Sequence, residues 1–130
     1  MTYTLLDTSS FLQGRRGALT VLDSPPLPFP IKRVFWIYGV ESPKEERGQH
    51  THLYGDEILI AVQGRVHVKL TSNGISEEIC LSKSTTSKAL WIHKGSYIEM
   101  SNFTPDCILL VLCSHAFKDD PVVGLDGTMK

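Results

Sequence analysis

An all-β fold of the jelly-roll barrel kind is predicted by three observations. Short runs rich in β-branched and aromatic residues recur along the chain, each bounded by Gly, Pro, Asn or Ser. No stretch of about 12 residues carries a convincing helical spacing of apolar side chains. No unit repeats, so a sandwich or barrel remains once solenoids and propellers are set aside.

The elements follow in order. Ile31 to Tyr38 is β-branched and aromatic and is entered through the Pro25-to-Pro30 stretch, whereas Val40 to Glu46 is a polar loop. Ile58 to Val62 is an apolar strand closed by Gly64. In Arg65 to Leu70 the residues Val66, Val68 and Leu70 face one way, and His67 and Lys69 the other. Asn73-Gly74 forms a tight hairpin turn, since both residues tolerate positive φ, and Ile75 to Leu81 returns. A polar connection through Ser82-Ser87 leads to Leu90 to Ile92 and Tyr97 to Met100, which flank Lys94-Gly95. Cys107 to Cys113 is the most apolar run, expected to be buried on both faces or at a subunit interface. The tail from Lys118 is charged and Gly-containing, and is expected to be loosely packed.

At 130 residues the chain is expected to be one domain, 1–130, with a single core. Its 42% hydrophobic and 21% charged content is that of a soluble globular protein. A formal charge of −1 gives no reason to expect nucleic acid or an anionic membrane as partner. Local cations at Arg15-Arg16, Lys32-Arg33 and Arg47 suit a compact anion. No apolar run reaches the roughly 20 residues that span a bilayer, and no secretory leader pattern opens the chain. Cys107 and Cys113 would sit about 20 Å apart along an extended run, whereas a disulfide needs Cα atoms within about 7 Å. The odd count leaves at least one thiol free, which points to a reducing cytoplasm.

Chemistry concentrates in Gly48-Gln49-His50-Thr51-His52, followed by Glu57 and Gly64. His50 and His52 share a face if their segment is a strand, because side chains there repeat every two residues. His-x-His, four residues, Glu, six residues and Gly resembles the first motif of the cupin superfamily. That resemblance implies two imidazoles inside a small β-barrel, as proton-transfer groups or metal ligands. The second cupin motif, Pro-x-Gly-x-x-His-x-x-x-Asn, aligns on His93 to Asn102, where Gly95 and Asn102 fit but the ligand position is Ile98. Isoleucine coordinates nothing, so no metal or other cofactor is expected. A two-histidine, one-carboxylate face from His50, His52 and Glu57 stands as the alternative. His67, His93 and His115 have structural readings.

More specific pieces resemble the dTDP-4-keto-6-deoxyglucose 3,4-ketoisomerases, small cupins of deoxysugar biosynthesis. They are Arg16-Gly17-Ala18-Leu19, the Pro28-to-Tyr38 passage with its Ile-Lys-Arg-Val core, Arg47 to His52, Gly64, and Glu99 to Cys107. The chain departs from that family's pattern at Trp36, Leu53, Glu57 and Ile98. The resemblance implies a metal-free enzyme on a dTDP-linked 4-keto-6-deoxy sugar, and a homodimer that exchanges N-terminal strands. Moving a carbonyl from C4 to C3 through an enediol needs a base poised near neutral pH, which histidine supplies with its ordinary pKa of about 6.5. His50 and His52 are the expected catalytic pair, with His52 the expected base. Tyr38 either steadies the enediolate through its hydroxyl or is a core aromatic. Glu57 either orients a histidine or is an outward charge. Arg33, Arg47 and Arg16 are candidates for the diphosphate, and Trp36 or Tyr54 for stacking on the base. A nucleotide-sugar-binding cupin with altered chemistry is the remaining alternative.

Overall fold

The computed structural model describes residues 2–83 and 88–130. Among these, strands and two single-turn 3-10 helices are present and no α-helix. One sheet has the order β1 (Tyr3–Asp7), β9 (Lys88–Ile92), β6 (Glu57–Gln63), β11 (Ile108–Cys113), β4 (Arg33–Ile37). The other runs β12 (Val122–Val123), β5 (Arg47–His52), β10 (Tyr97–Ser101), β7 (Arg65–Ser72), β8 (Ile75–Ser82). Every pairing is antiparallel. Apart from these stands a hairpin of β2 (Ser9–Leu12) and β3 (Ala18–Val21). This is the jelly-roll barrel of the cupins.

Alternation explains why the two sheets meet as they do. On β7, Val66, Val68 and Leu70 are buried while Arg65, His67 and Lys69 are exposed. On β11, Leu109, Val111 and Cys113 are buried, and Leu90, Ile98 and Phe103 join the same inter-sheet core. Burying that apolar surface is the main favourable contribution to folding. The Asn73-Gly74 turn forms as expected, with φ of 53° and 77° between β7 and β8.

Several expectations are corrected. The strand drawn from Ile31 to Tyr38 is confined to Arg33–Ile37. The strand drawn over Cys107 to Cys113 buries one face within its own chain, because Ile108, Leu110 and Leu112 are only half-buried, so of its two expected settings only burial on both faces within the chain is corrected. Its outer face lies beneath the β2–β3 hairpin, with a cavity of about 550 Å³ between them. The tail from Lys118 is docked rather than loose: Val122 and Val123 pair with His52 and Thr51, and Asp120 is buried. Backbone pairing and one carboxylate overcome a composition that looked like a disordered end. Of the Ser82-Ser87 connection, residues 84–87 lie outside the described residues.

Gly64, the last residue of the His-x-His motif, joins β6 to β7 at a φ of +73°. A Cβ there would lie 2.6 Å from the Cys107 Cα and run into Thr104 Oγ1. Backbone cannot step aside as a side-chain tip can. Gly64→Ala is therefore expected to lower stability by about 1–3 kcal/mol; an unchanged urea midpoint would refute this.

Candidate active site

The site begins with an irregularity in β5. Ile98 is in register with His50 but Glu99 with Gly48, so Gln49 is the extra residue of a β-bulge. Gly48 and Gln49 both take positive φ, 83° and 58°. A side chain at position 48 would place its Cβ 2.9 Å from the Ile98 carbonyl oxygen, so glycine is required. Beyond the bulge, His50 and His52 share one face, with ring centroids 4.8 Å apart and planes at 85°.

His52 is buried between two carboxylates. Its Nδ1 lies 2.7 Å from Asp120 Oδ2, and the other oxygen of Asp120 accepts the Gly55 N–H at 2.9 Å. Gly55 allows this approach, since a Cβ there would fall 2.7 Å from the Asp120 Cγ. On the far side of the ring, Nε2 is 3.2 Å from Glu57 Oε1. This contact has ion-pair distance without hydrogen-bond alignment. The second Glu57 oxygen lies 3.6 Å from the Cys113 thiol, which donates to it. A neutral imidazole that donates from Nδ1 would turn a bare lone pair toward Glu57. The closeness therefore favours a proton held between His52 and Glu57.

Electrostatics separates the two histidines. Burial is the largest influence on His52 and pushes its pKa down, but the contact with Glu57 and the charges of Glu57 and Asp120 outweigh it, so the group titrates above the usual 6.5. His50 titrates below its usual value, first through burial, then through the charge of His52, with Lys130 adding to the effect and Glu57 opposing it. Burial, followed by the charge of Glu57, pushes the Cys113 thiol up to about 12. Cys113 is thus a donor here and not a nucleophile.

The structure gathers only part of the expected set. His50, His52 and Glu57 come together. Arg33 faces the same barrel end: it pairs in register with Cys113, and its guanidinium lies 4.6 Å from the Phe35 ring centroid and 4.9 Å from that of Phe117. Arg47 is exposed at the start of β5. Trp36 and Tyr38 are 58% and 68% exposed, and Trp36 lies on the face of β4 opposite Phe35 and Ile37. Arg16 is exposed in the turn between β2 and β3. Neither Tyr38, Trp36 nor Arg16 joins the histidine cluster. His67 is exposed, His93 bonds Thr4 through Nε2 at 3.0 Å, and His115 bonds Ser114 at 2.8 Å. Among the described residues no group of three or more His, Cys, Asp or Glu side chains is arranged to hold a metal ion.

Asp120 was missed. It stands 68 residues after His52, in an acidic pair before Pro121 that reads as a solvated end. No spacing rule reaches across that distance. In the sequence Cys113 has no place at the site, only one in an apolar strand and among the cysteines too far apart to pair.

Residues 1–123 match the family model described as FdtA: WxcM-like, C-terminal. A TDP-4-oxo-6-deoxy-alpha-D-glucose-3,4-oxoisomerase of Aneurinibacillus thermoaerophilus is 26% identical over 115 residues, covering 88% of this chain and 81% of the relative. Among solved structures, a double mutant of the QdtA 3,4-ketoisomerase of Thermoanaerobacterium thermosaccharolyticum, in complex with TDP, superposes with a TM-score of 0.83 and 31% identity over 94% of this chain and 86% of that one. The WlaRA TDP-fucose-3,4-ketoisomerase of Campylobacter jejuni gives 0.79 and 31% over 92% and 88%.

Because the folded pKa of His52 is raised, its protonated form stabilises the fold fully below about pH 6.5, and that increment is lost as pH rises through the folded value. Asp120→Asn is expected to lower the His52 titration seen by NMR. The stability gap between wild type and variant is expected to narrow as pH rises above about 6.5 and through the folded titration of His52. A gap that widens instead would contradict the ion pair.

Proposed function

The chain belongs to the FdtA family, WxcM-like, C-terminal, and on that premise we propose that it is a nucleotide-sugar 3,4-ketoisomerase. Its substrate is a TDP-4-keto-6-deoxyhexose, whose carbonyl moves from C4 to C3. The observation that carries the reading is the pair of imidazoles on one strand face, 4.8 Å apart, held in unlike electrostatic settings.

The chemistry is proton transfer in two halves. His50, held neutral, takes the C3 proton; the C–H electrons form the C3–C4 double bond, and the C4 oxygen takes a proton from His52. The resulting enediol then gives its O3 proton back to His52 as the C3 carbonyl forms, and C4 receives the proton that His50 carries. Both histidines return to their starting states. Sequence alone favoured His52 as base. The carboxylates on both sides of its ring favour the donor role instead, and leave the base to His50. Glu57 and Asp120 hold the His52 proton between turnovers. Arg33, steadied between two aromatic rings, and Arg47 are assigned to the diphosphate. Tyr38, Trp36 and Arg16 enter this reading only through a second subunit, because they stand outside the cluster of their own chain.

A homodimer with exchanged N-terminal strands belongs to the same reading. It is supported by the cavity beneath the β2–β3 hairpin and by Leu12 on that hairpin, 90% exposed. The three free thiols suit a reducing cytoplasm.

Proton NMR of TDP-4-keto-6-deoxyglucose with the protein in D₂O is the direct test. A 3-keto product with deuterium in the ring is expected; an unchanged sugar would refute the activity. His50→Asn is expected to reduce turnover by about 10²- to 10⁴-fold while leaving TDP affinity nearly intact, and near-normal turnover would remove His50 as base. Arg47→Ala is expected to weaken TDP binding measured by calorimetry, and an unchanged Kd would take Arg47 out of the site.

A further inference from the structure

The segment after Asp120 reaches the histidines from a second direction. Leaving β12, the chain turns back on itself: the Gly124 N–H donates to the Thr128 carbonyl at 2.8 Å, Val123 bridges to Met129, and the Lys130 N–H donates to the Val122 carbonyl at 3.1 Å. Asp126 closes the turn by accepting from the Thr128 N–H and hydroxyl at 3.0 and 2.7 Å. The returning arm carries Lys130 Nζ to 2.9 Å from the Gln49 carbonyl oxygen and 3.5 Å from that of Gly48. Both carbonyls belong to the bulge that precedes His50. A bulge leaves its extra residue outside the ladder, and the ammonium supplies the partner.

We propose that Lys130 is a positioning residue for the catalytic pair: it fixes the bulge that aims His50 and keeps a cation within electrostatic reach of that ring. Its effect on turnover rests on the ketoisomerase reading; its effect on His50 does not. The charged and titratable groups acting on His50 are His52 on its own strand, Glu57 from β6 and Lys130 from the hairpin, while β10 sets the uncharged Ile98 opposite it. Of these, only Glu57 favours a proton on His50. Lys130 opposes that proton, so His50 remains a free base at lower pH than it otherwise would. The same segment therefore treats the two rings oppositely, with Asp120 adding negative charge at His52 and Lys130 adding positive charge at His50.

The test uses three variants, Lys130→Met, Lys130→Gln and Lys130→Arg. Each is checked for its fold by an amide NMR spectrum, then titrated without ligand by imidazole NMR and assayed across pH. Met and Gln are expected to move the His50 titration upward and the acid limb of kcat with it. Their loss of turnover is then greatest on the acid side of the His50 titration and vanishes at pH well above it, with KM little changed. Arg, which keeps the charge, is expected to stay near wild type. Unmoved His50 titrations in Met and Gln would overturn the proposal, as would an equal shift in Arg. Should the wild-type protein leave the keto sugar unchanged, the ketoisomerase reading fails, while the ligand-free titrations still decide the role of Lys130.

Discussion

The arrangement at the barrel mouth depends on a buried imidazole lying between two carboxylates. Asp120 and Glu57 approach opposite nitrogens of His52 from parts of the chain far apart in sequence. Two buried carboxylates that near each other would repel unless a proton or cation stood between them. A proton on the His52 ring relieves that repulsion, and the two carboxylates in turn raise the pKa of the ring. Asp120 brings with it the β12 pairing to β5, and Glu57 brings the start of β6. The same contact thus joins the two sheets at one end of the barrel and sets the charge of the site.

Backbone geometry has the next claim. The bulge at Gly48 and Gln49 sets the course of β5 just ahead of the two imidazoles, which share a face by strand alternation, and the bulge needs Gly48 because a Cβ there would meet the Ile98 carbonyl. Gly55 plays a comparable part for the Asp120 carboxylate. Two glycines near the histidines therefore carry geometric requirements of the chemistry, although neither has a side chain to contribute. The core beneath them is an ordinary alternation of Val, Leu and Ile across two sheets.

Much of this was legible in the sequence, for physical reasons that differ by element. The strand at Val66, Val68 and Leu70 announced itself because a half-buried strand must alternate, and the Asn73-Gly74 turn because few other residues take positive φ twice in succession. The histidine pair was legible because its members are close in sequence and share one strand. Asp120 was not, because contacts between distant residues leave no local periodicity. The outward position of Trp36 was not legible either, because nothing in a single chain's pattern says which face of β4 looks toward the histidines. The N-terminal strands entered only through the resemblance, and β2 and β3 gave no signal of their own because their Ser, Thr and exposed Leu residues form no core-facing stripe.

Cys113 has a consequence outside catalysis. Thiol-directed reagents and oxidants attack the thiolate, and a group held near 12 by burial and a neighbouring carboxylate supplies almost none at neutral pH. Cys107 is buried as well, with its own thiol pushed upward, while Cys80 is exposed on β8. The folded protein thus offers one outward thiol, on the edge strand of the sheet that holds the histidines, where a spectroscopic label can be attached while the two inner thiols stay unreacted.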